Sequence, residues 1–349
     1  MNSIATISEL LQLSDSSYRI FDLGRTVSKI PKEQFKLIEQ AMQPYPFPIQ
    51  GHAMLAVVFW QKQSLAPYIW FVKMPLDERG LLNQAARNHF IAIILEALGN
   101  DLSQDPSAKQ EELLKSNPYN FTPSQYKLAS LNSIIKRDLK QSASQFYEHA
   151  QLYFAGKIGF DSWQGVAIQG ISDFAARTEQ KDNEAHLIAA LDKLPPQVFA
   201  PLASALENHK LSYPLIERLL QLGQQELKKA APDIAYLANI LRALSGHADH
   251  PKTRDFINLV LNSKLNDLNL FITLCGRCWS AFTHSDMLMI FLEKIAATDD
   301  FELFAGIFQD MIAIPQVRPT LLQCLRNEQR SEALSKMIGQ LFSHVKGNK

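Results

Sequence analysis

The chain has 349 residues, enough for two domains, and its hydrophobic fraction of 46% excludes a wholly disordered protein. Lysine plus arginine equals aspartate plus glutamate, 35 against 35, which argues against a dedicated nucleic-acid binder that relies on a basic excess and leaves open a local basic patch made by folding. The most hydrophobic windows, 53–60 and 90–98, are far shorter than the ~20 residues of a membrane-spanning helix, so we expect no membrane insertion.

The cysteines and the first residues bear on the cellular compartment. Residues 1–13 lack the basic start and the cleavage site of a signal peptide and are typical of an amphipathic helix. Cys275, Cys278 and Cys324 cannot all pair, and a chain of this size does not need disulfides. We therefore expect a cytoplasmic protein with reduced thiols.

The β signals lie in the first hundred residues. Residues 18–23 are aromatic and β-branched, and 54–60 are continuously apolar, as in a strand that is buried on both faces. Residues 68–72 follow across a short turn, which favours an antiparallel hairpin. Together they predict a small sheet of about three strands. Residues 81–98 carry apolar side chains at i, i+3, i+4 and i+7, and predict the helix that covers this sheet.

Residues 101–121 are polar and contain two prolines, and we interpret them as a linker or a lid. Thr122-Pro-Ser-Gln125 is typical of a helix start, and no convincing strand follows it. Prolines at 196, 214, 232 and 251 then recur every 18 to 19 residues, each ahead of an apolar-periodic segment. Because proline is tolerated in the first turn of a helix, this spacing predicts successive helices, and a pair of them takes roughly 37 residues, as in helical repeats.

The predicted fold is therefore α+β and predominantly α. A small α/β domain over residues 1–100 carries the sheet of about three strands with its helices. A linker over 101–121 joins it to a HEAT-like, right-handed α-helical array over 122–349.

Two spaced pairs contain residues that can bind zinc. Cys275-Gly-Arg-Cys278 has the spacing of a redox motif, but it falls inside a predicted helix and lacks the leading strand that such motifs have. With His247-Ala-Asp-His250 it could form a tetrahedral zinc site. The alternative is two core cysteines and two loop histidines. No other cofactor is predicted.

Charged residues follow the first strand and the hairpin. If the strands are adjacent, these turns meet at one sheet edge, where acids and guanidinium groups could bind a carboxylate or phosphate or transfer a proton. The alternative is that the acids complement a helix N-terminus and the arginines pair with them. The candidate ligand-binding residues are Asp22, Arg25, Asp77, Glu78, Arg79 and Arg87.

Three stretches, at 18–25 (YRIFDLGR), 44–48 (PYPFP) and 70–80 (WFVKMPLDERG), resemble a family of uncharacterised proteobacterial proteins known only as a domain of unknown function. The resemblance spans nearly the whole chain. It implies a bacterial, cytoplasmic setting and supplies no activity or catalytic residues.

Two functional hypotheses follow. The leading one is a non-enzymatic interaction or scaffold protein whose helical array binds a protein partner. The alternative is an enzyme or a binder of small anionic ligands, with its site at the sheet edge near Asp22, Arg25, Asp77 and Arg79. The sequence contains no nucleophile-elbow, Walker or Rossmann motif, which leaves open whether the chain is an enzyme.

Overall fold

The structure is a computed structural model that describes residues 4–61, 67–99, 107–180 and 182–347. It divides into two compact units. The N-terminal unit comprises Met1–Pro123 with Ala313–Pro315, and the helical unit comprises Ser124–Ile312 with Gln316–Lys349. Residues 62–66 of the predicted hairpin turn and 101–106 of the predicted linker lie outside the described residues.

The N-terminal unit contains a four-stranded antiparallel sheet in the order β2-β1-β3-β4. The strands are β1 Ser16–Asp22, β2 Ser28–Ile30, β3 His52–Gln61 and β4 Tyr68–Pro75. The prediction of a small N-terminal sheet is confirmed, but the sheet has one strand more than predicted. Three residues are too few for β2 to show a period-two pattern, and its pairing with β1 places Ile20 opposite Ile30.

The strand β3 lies at the centre of the core. Leu55, Val57 and Phe59 belong to the hydrophobic cluster on one face of the sheet, and Ala56 and Val58 are equally buried on the other. Neighbouring residues of a strand point to opposite faces, so a continuous apolar run is what a strand covered on both sides requires.

The described part of the N-terminal unit also contains four helices: α1 Ile7–Leu13, α2 Lys32–Glu39, α3 Gln84–Leu98 and α4 Ala108–Lys115. The helix α3 contributes Phe90 and Ile94 to the same cluster as β3. The helix α4 lies in the stretch interpreted as a linker. After it, the chain returns to the sheet, where Lys73 N–H donates to Tyr119 O (2.7 Å) and Phe121 N–H donates to Phe71 O (3.3 Å).

Helices make up the described part of the second unit, joined by turns and short 3-10 segments. A predominantly helical chain is thus confirmed. None of the helices in the described ranges combines the length and apolar composition that crossing a membrane requires. The helices are α5 Gln125–Asp138, α6 Tyr147–Phe154, α7 Ile168–Ala175, α8 Asn183–Ala190, α9 Pro196–Leu206, α10 Tyr213–Leu227, α11 Ile234–Leu244, α12 Pro251–Asn262, α13 Leu268–Arg277, α14 Ser285–Ala296, α15 Phe301–Ala313, α16 Arg318–Cys324 and α17 Glu332–Gly347.

The packing of these helices alternates along the chain. Helix α5 packs on α7, α7 on α9, α9 on α11, and α11 on α13. A second series runs from α6 through α8, α10 and α12 to α14. Helix α5 also contacts α9, and α14 packs against both α16 and α17. Each series therefore connects every second helix of the chain.

The evenly spaced prolines stand at helix starts. Pro196, Pro214 and Pro251 occupy the first turns of α9, α10 and α12, where a missing N–H leaves no hydrogen bond unmade. Pro232 precedes Asp233, whose side chain caps α11 by accepting from Tyr236 N–H at 3.0 Å. Pro201, which departs from the spacing, lies inside α9, and the helix continues through it.

Candidate functional site

Asp22, the last residue of β1, organises the turn that follows it. Its fully buried carboxylate accepts from Gly24 N–H (3.0 Å), Arg25 N–H (3.2 Å) and the Tyr45 hydroxyl (2.5 Å). Burial, and then the charge of Asp22, raises the pKa of Tyr45 well above its ordinary value. The Asp22 carboxylate oxygens thus accept hydrogen bonds from donors of the same chain.

The proline-rich segment 44–48 links this turn to the one after β4. Arg25 is only 2% exposed and its Nε donates to Pro48 O at 3.1 Å. Tyr45, whose hydroxyl reaches Asp22, donates its backbone N–H to Gly80 O at 2.8 Å. The structure therefore brings the two predicted turns to the same segment, with Tyr45 in contact with both.

The turn after β4 is exposed and held by Asp77. Its carboxylate accepts from Leu81 N–H (2.8 Å), Arg79 N–H (2.9 Å) and Arg79 Nε (3.3 Å). The backbone bond from Leu81, followed by those from Arg79, lowers the pKa of Asp77. The Arg79 side chain is 77% exposed, and Glu78 is exposed beside it. These contacts shape the turn.

Arg87 lies elsewhere, where α1, α2 and α3 meet. Its guanidinium donates to Glu39 O and to Asn88 Oδ1. The Glu39 carboxylate in turn accepts from Ile7 N–H (3.0 Å) and Ser8 N–H (3.3 Å) in the first turn of α1. Burial raises the pKa of Glu39. The six candidate residues thus occupy three places: a buried turn, an exposed turn and a helix junction.

Replacing Arg25 and Arg79 one at a time measures how much each arginine stabilises the fold. Arg25→Ala is expected to lower the free energy of unfolding by about 2 kcal/mol, because it removes a buried charged donor. Arg79→Ala is expected to cost less than about 1 kcal/mol, since its pair with Asp77 is exposed. Urea unfolding followed by circular dichroism compares the two. Equal costs, or a stable Arg25→Ala variant, would contradict the assignment of Arg25 to the fold.

The four candidate zinc ligands are not gathered into one group. His247 Nε2 accepts from Leu211 N–H at 2.8 Å, and His250 is the residue that precedes α12. Cys278 is fully buried with Sγ 3.4 Å from Leu241 O, and burial raises its pKa. Cys275 Sγ lies 3.5 Å from Ile272 O in its own helix. Within the described ranges, no three His, Cys, Asp or Glu side chains come close enough to hold a metal ion.

Glu207, which the sequence did not single out, is the centre of a buried charge cluster in the helical unit. Its side chain is 2% exposed and accepts from Arg242 Nε and Nη2, both at 2.9 Å. Arg277 Nη1 lies 3.6 Å from the same carboxylate. The last turns of α11 and α13 therefore meet at the end of α9. The three residues are spaced 35 apart, close to the repeat length that the prolines indicate, and this spacing is the signal that could have identified them.

The turn that follows Glu207 makes further polar contacts. Asn208 Nδ2 lies 3.3 Å from Ser130 Oγ of α5. Burial, with the positive charges of Arg137 and Arg177, lowers the pKa of His209 to about 3, so this imidazole is neutral at physiological pH. This turn is a structural joint between α5, α9, α11 and α13.

The described part of the N-terminal unit contains an open cleft of about 510 Å³ that the sequence did not predict. It lies at the outer edge of β4, between α3, the end of α4 and the segment that pairs with β4. Its lining is mainly apolar and aromatic, a composition typical of ligand sites. The lining residues are Ile69, Trp70, Phe71, Phe90, Ile94, Leu114, Lys115, Asn117, Asn120, Phe121 and Thr122.

Comparison with known proteins identifies a family. No curated protein and no solved structure matches the chain. Residues 2–342 match the family described as Protein of unknown function (DUF3549), which agrees with the resemblance of the segments at 18–25, 44–48 and 70–80. Since the match covers nearly the whole chain, the protein belongs to the DUF3549 family.

Proposed function

We propose that the chain is a non-enzymatic interaction protein of the bacterial cytoplasm that holds a protein partner on its helical unit. In this proposal the helical unit is a HEAT-like, right-handed array, a form in which stacked helices present an extended binding surface. The two alternating series of packed helices support it. The three cysteines, all free and buried, suit a reducing compartment.

The observation that carries the proposal is an apolar pair on α13. Leu268 and Ile272 are 53% and 52% exposed and stand one helical turn apart, on the same side of the helix. Large apolar side chains that are exposed next to one another mark interaction surfaces more often than isolated ones do. Leu152 on α6, 41% exposed, provides a single apolar side chain for comparison.

The predicted sheet-edge site supports the alternative function less well. Asp22 and Arg25 are buried and bonded to the chain's own backbone, and Asp77 is engaged by Leu81 and Arg79. An anionic ligand would have to break these contacts in order to bind there.

Affinity purification of the tagged full chain from its native host tests the proposal. We expect a reproducible partner protein, and we expect Leu268→Ser/Ile272→Ser to lower its recovery roughly tenfold, because two apolar contacts are lost. Leu152→Ser should retain the partner, and all three proteins should have the same Tm. Absence of a reproducible partner, or equal recovery with the double variant, would count against the proposal.

A further inference from the structure

A cavity of about 480 Å³ lies in the helical unit, where the start of α14 meets the end of α16. Two hydrogen bonds join these helix ends. Thr320 Oγ1 donates to Thr283 O (3.1 Å), and the Cys324 thiol donates to Ser285 O (3.7 Å). Because both walls are tied together, the cavity is part of the folded helical unit, and its volume falls in the range of small-molecule sites.

Two side chains of opposite charge line this cavity. Asp286 belongs to the first turn of α14, and Arg326 belongs to the turn that follows α16. Both residues are exposed, and within the described chain neither side chain takes part in a hydrogen bond or an ion pair. A ligand can therefore bind both charges without breaking a contact of the fold, which is not the case at Asp22 or Asp77.

The same cavity has an apolar wall. Met289 stands one turn after Asp286 on α14, and Cys324, at the end of α16, is 2% exposed. Burial raises the pKa of Cys324 to about 11, so its thiol stays protonated at neutral pH and acts as a small apolar group. The unbranched side chain of Met289 adapts to apolar groups of different shape.

We propose that this cavity binds a free α-amino acid with a compact apolar side chain. Arg326 binds the α-carboxylate and Asp286 binds the α-ammonium group, since charge-assisted hydrogen bonds to these two groups are the strongest that side chains offer. The ligand's side chain packs against Met289 and Cys324. The hydroxyl of Ser285, which also lines the cavity, is a further hydrogen-bonding group.

A ligand that carries both charges complements this cavity better than a simple ion does. Inorganic phosphate would pair with Arg326 but would place a negative charge near Asp286. A small cation would pair with Asp286 and would meet the charge of Arg326 in the same way. The site shares no residue with the apolar pair on α13, Leu268 and Ile272, and the inference does not rest on the proposed function.

Isothermal titration of the full chain with L-leucine, L-valine and L-methionine tests the proposal. We expect at least one of them to bind the wild-type chain. Asp286→Asn and Arg326→Gln should each weaken this binding about tenfold, because each removes one charge-assisted hydrogen bond. Glu302→Gln is the matched control, since Glu302 is also an exposed acid in the first turn of a helix and is not among the described lining residues. It should leave the Kd unchanged, and all variants should keep the wild-type Tm.

Derivatives of the amino acid that binds best assign each charge to its partner. The N-acetyl derivative lacks the ammonium group and the amide lacks the carboxylate, so each should bind the wild-type chain about tenfold more weakly. Acetylation should cause no further loss with Asp286→Asn, and amidation should cause none with Arg326→Gln. Absence of binding by all three amino acids, full binding by a folded variant, or a derivative that binds as tightly as its parent would overturn the proposal. Loss of the α13 partner does not bear on these titrations, so the two proposals fail independently.

Discussion

Glu207→Gln is expected to lower the free energy of unfolding of the helical unit by about 3 kcal/mol. The substitution keeps the volume of the side chain and removes the charge that Arg242 and Arg277 share. Both arginine side chains are only 25% exposed, so water compensates incompletely for the lost partner. Urea unfolding, followed by circular dichroism at neutral pH, measures the change.

Glu217→Gln is the matched control for this experiment. Glu217 is likewise a glutamate in an ion pair, with Lys252 Nζ at 2.5 Å. In contrast to Glu207, the side chains of Glu217 and Lys252 are 41% and 48% exposed. Its replacement should cost less than about 1 kcal/mol, as is usual for a surface ion pair. If Glu207→Gln and Glu217→Gln lower the free energy of unfolding equally, the buried charge cluster does not hold α9, α11 and α13 together as its geometry indicates.

Gly170→Ala is expected to destabilise the helical unit by up to about 3 kcal/mol, although alanine is the better helix former. A Cβ added at Gly170 would lie 2.5 Å from Phe146 O and 3.1 Å from Phe146 C. These are backbone atoms, which cannot move aside as the end of a flexible side chain can. Helix α7 would therefore have to shift away from the start of α6. Urea unfolding of the variant gives the size of this loss.

Gly306→Ala is the matched control, and we expect it to stabilise the protein. Gly306 lies within α15, and nothing stands within 4 Å of the Cβ that alanine would add there. This change should raise the free energy of unfolding by roughly 0.5 to 1 kcal/mol, because alanine loses less conformational entropy in a helix. A stabilised Gly170→Ala variant would show that α6 and α7 are not in such close contact.

Strong local patterns made parts of the fold predictable. The apolar run of β3 and the helical periodicity of α3 identified both elements, because each pattern spans many residues. The strand β2 was missed because it is short and is held by its pairing with β1. Helix α4 was missed because its composition is polar, and the β-pairing of residues 119–121 depends on contacts 48 residues apart in the chain, such as that between Val72 and Asn120.

The candidate sites were harder to predict, because residue type does not reveal what a side chain bonds to. Asp22 and Arg25 were singled out as ligand-binding candidates because of their charges, but their partners in the structure, Tyr45 and Pro48, come from a separate segment. Glu207 has no motif around it, and its partners lie 35 and 70 residues further along the chain. Only the packing of α9, α11 and α13 brings those charges together.

The turn after α9 affects how the helical unit unfolds. An array whose helices touch only their neighbours can fray from either end, one repeat at a time. Here residues 207–211 bind α5 through Asn208, and α11 and α13 through Glu207. Helices from both sides of the turn thus depend on one short stretch in the middle of the chain. If α13 detaches, Glu207 at the end of α9 loses Arg277 and its pair with Arg242 of α11 is opened to water. We therefore expect α9, α11 and α13 to unfold cooperatively rather than one after another.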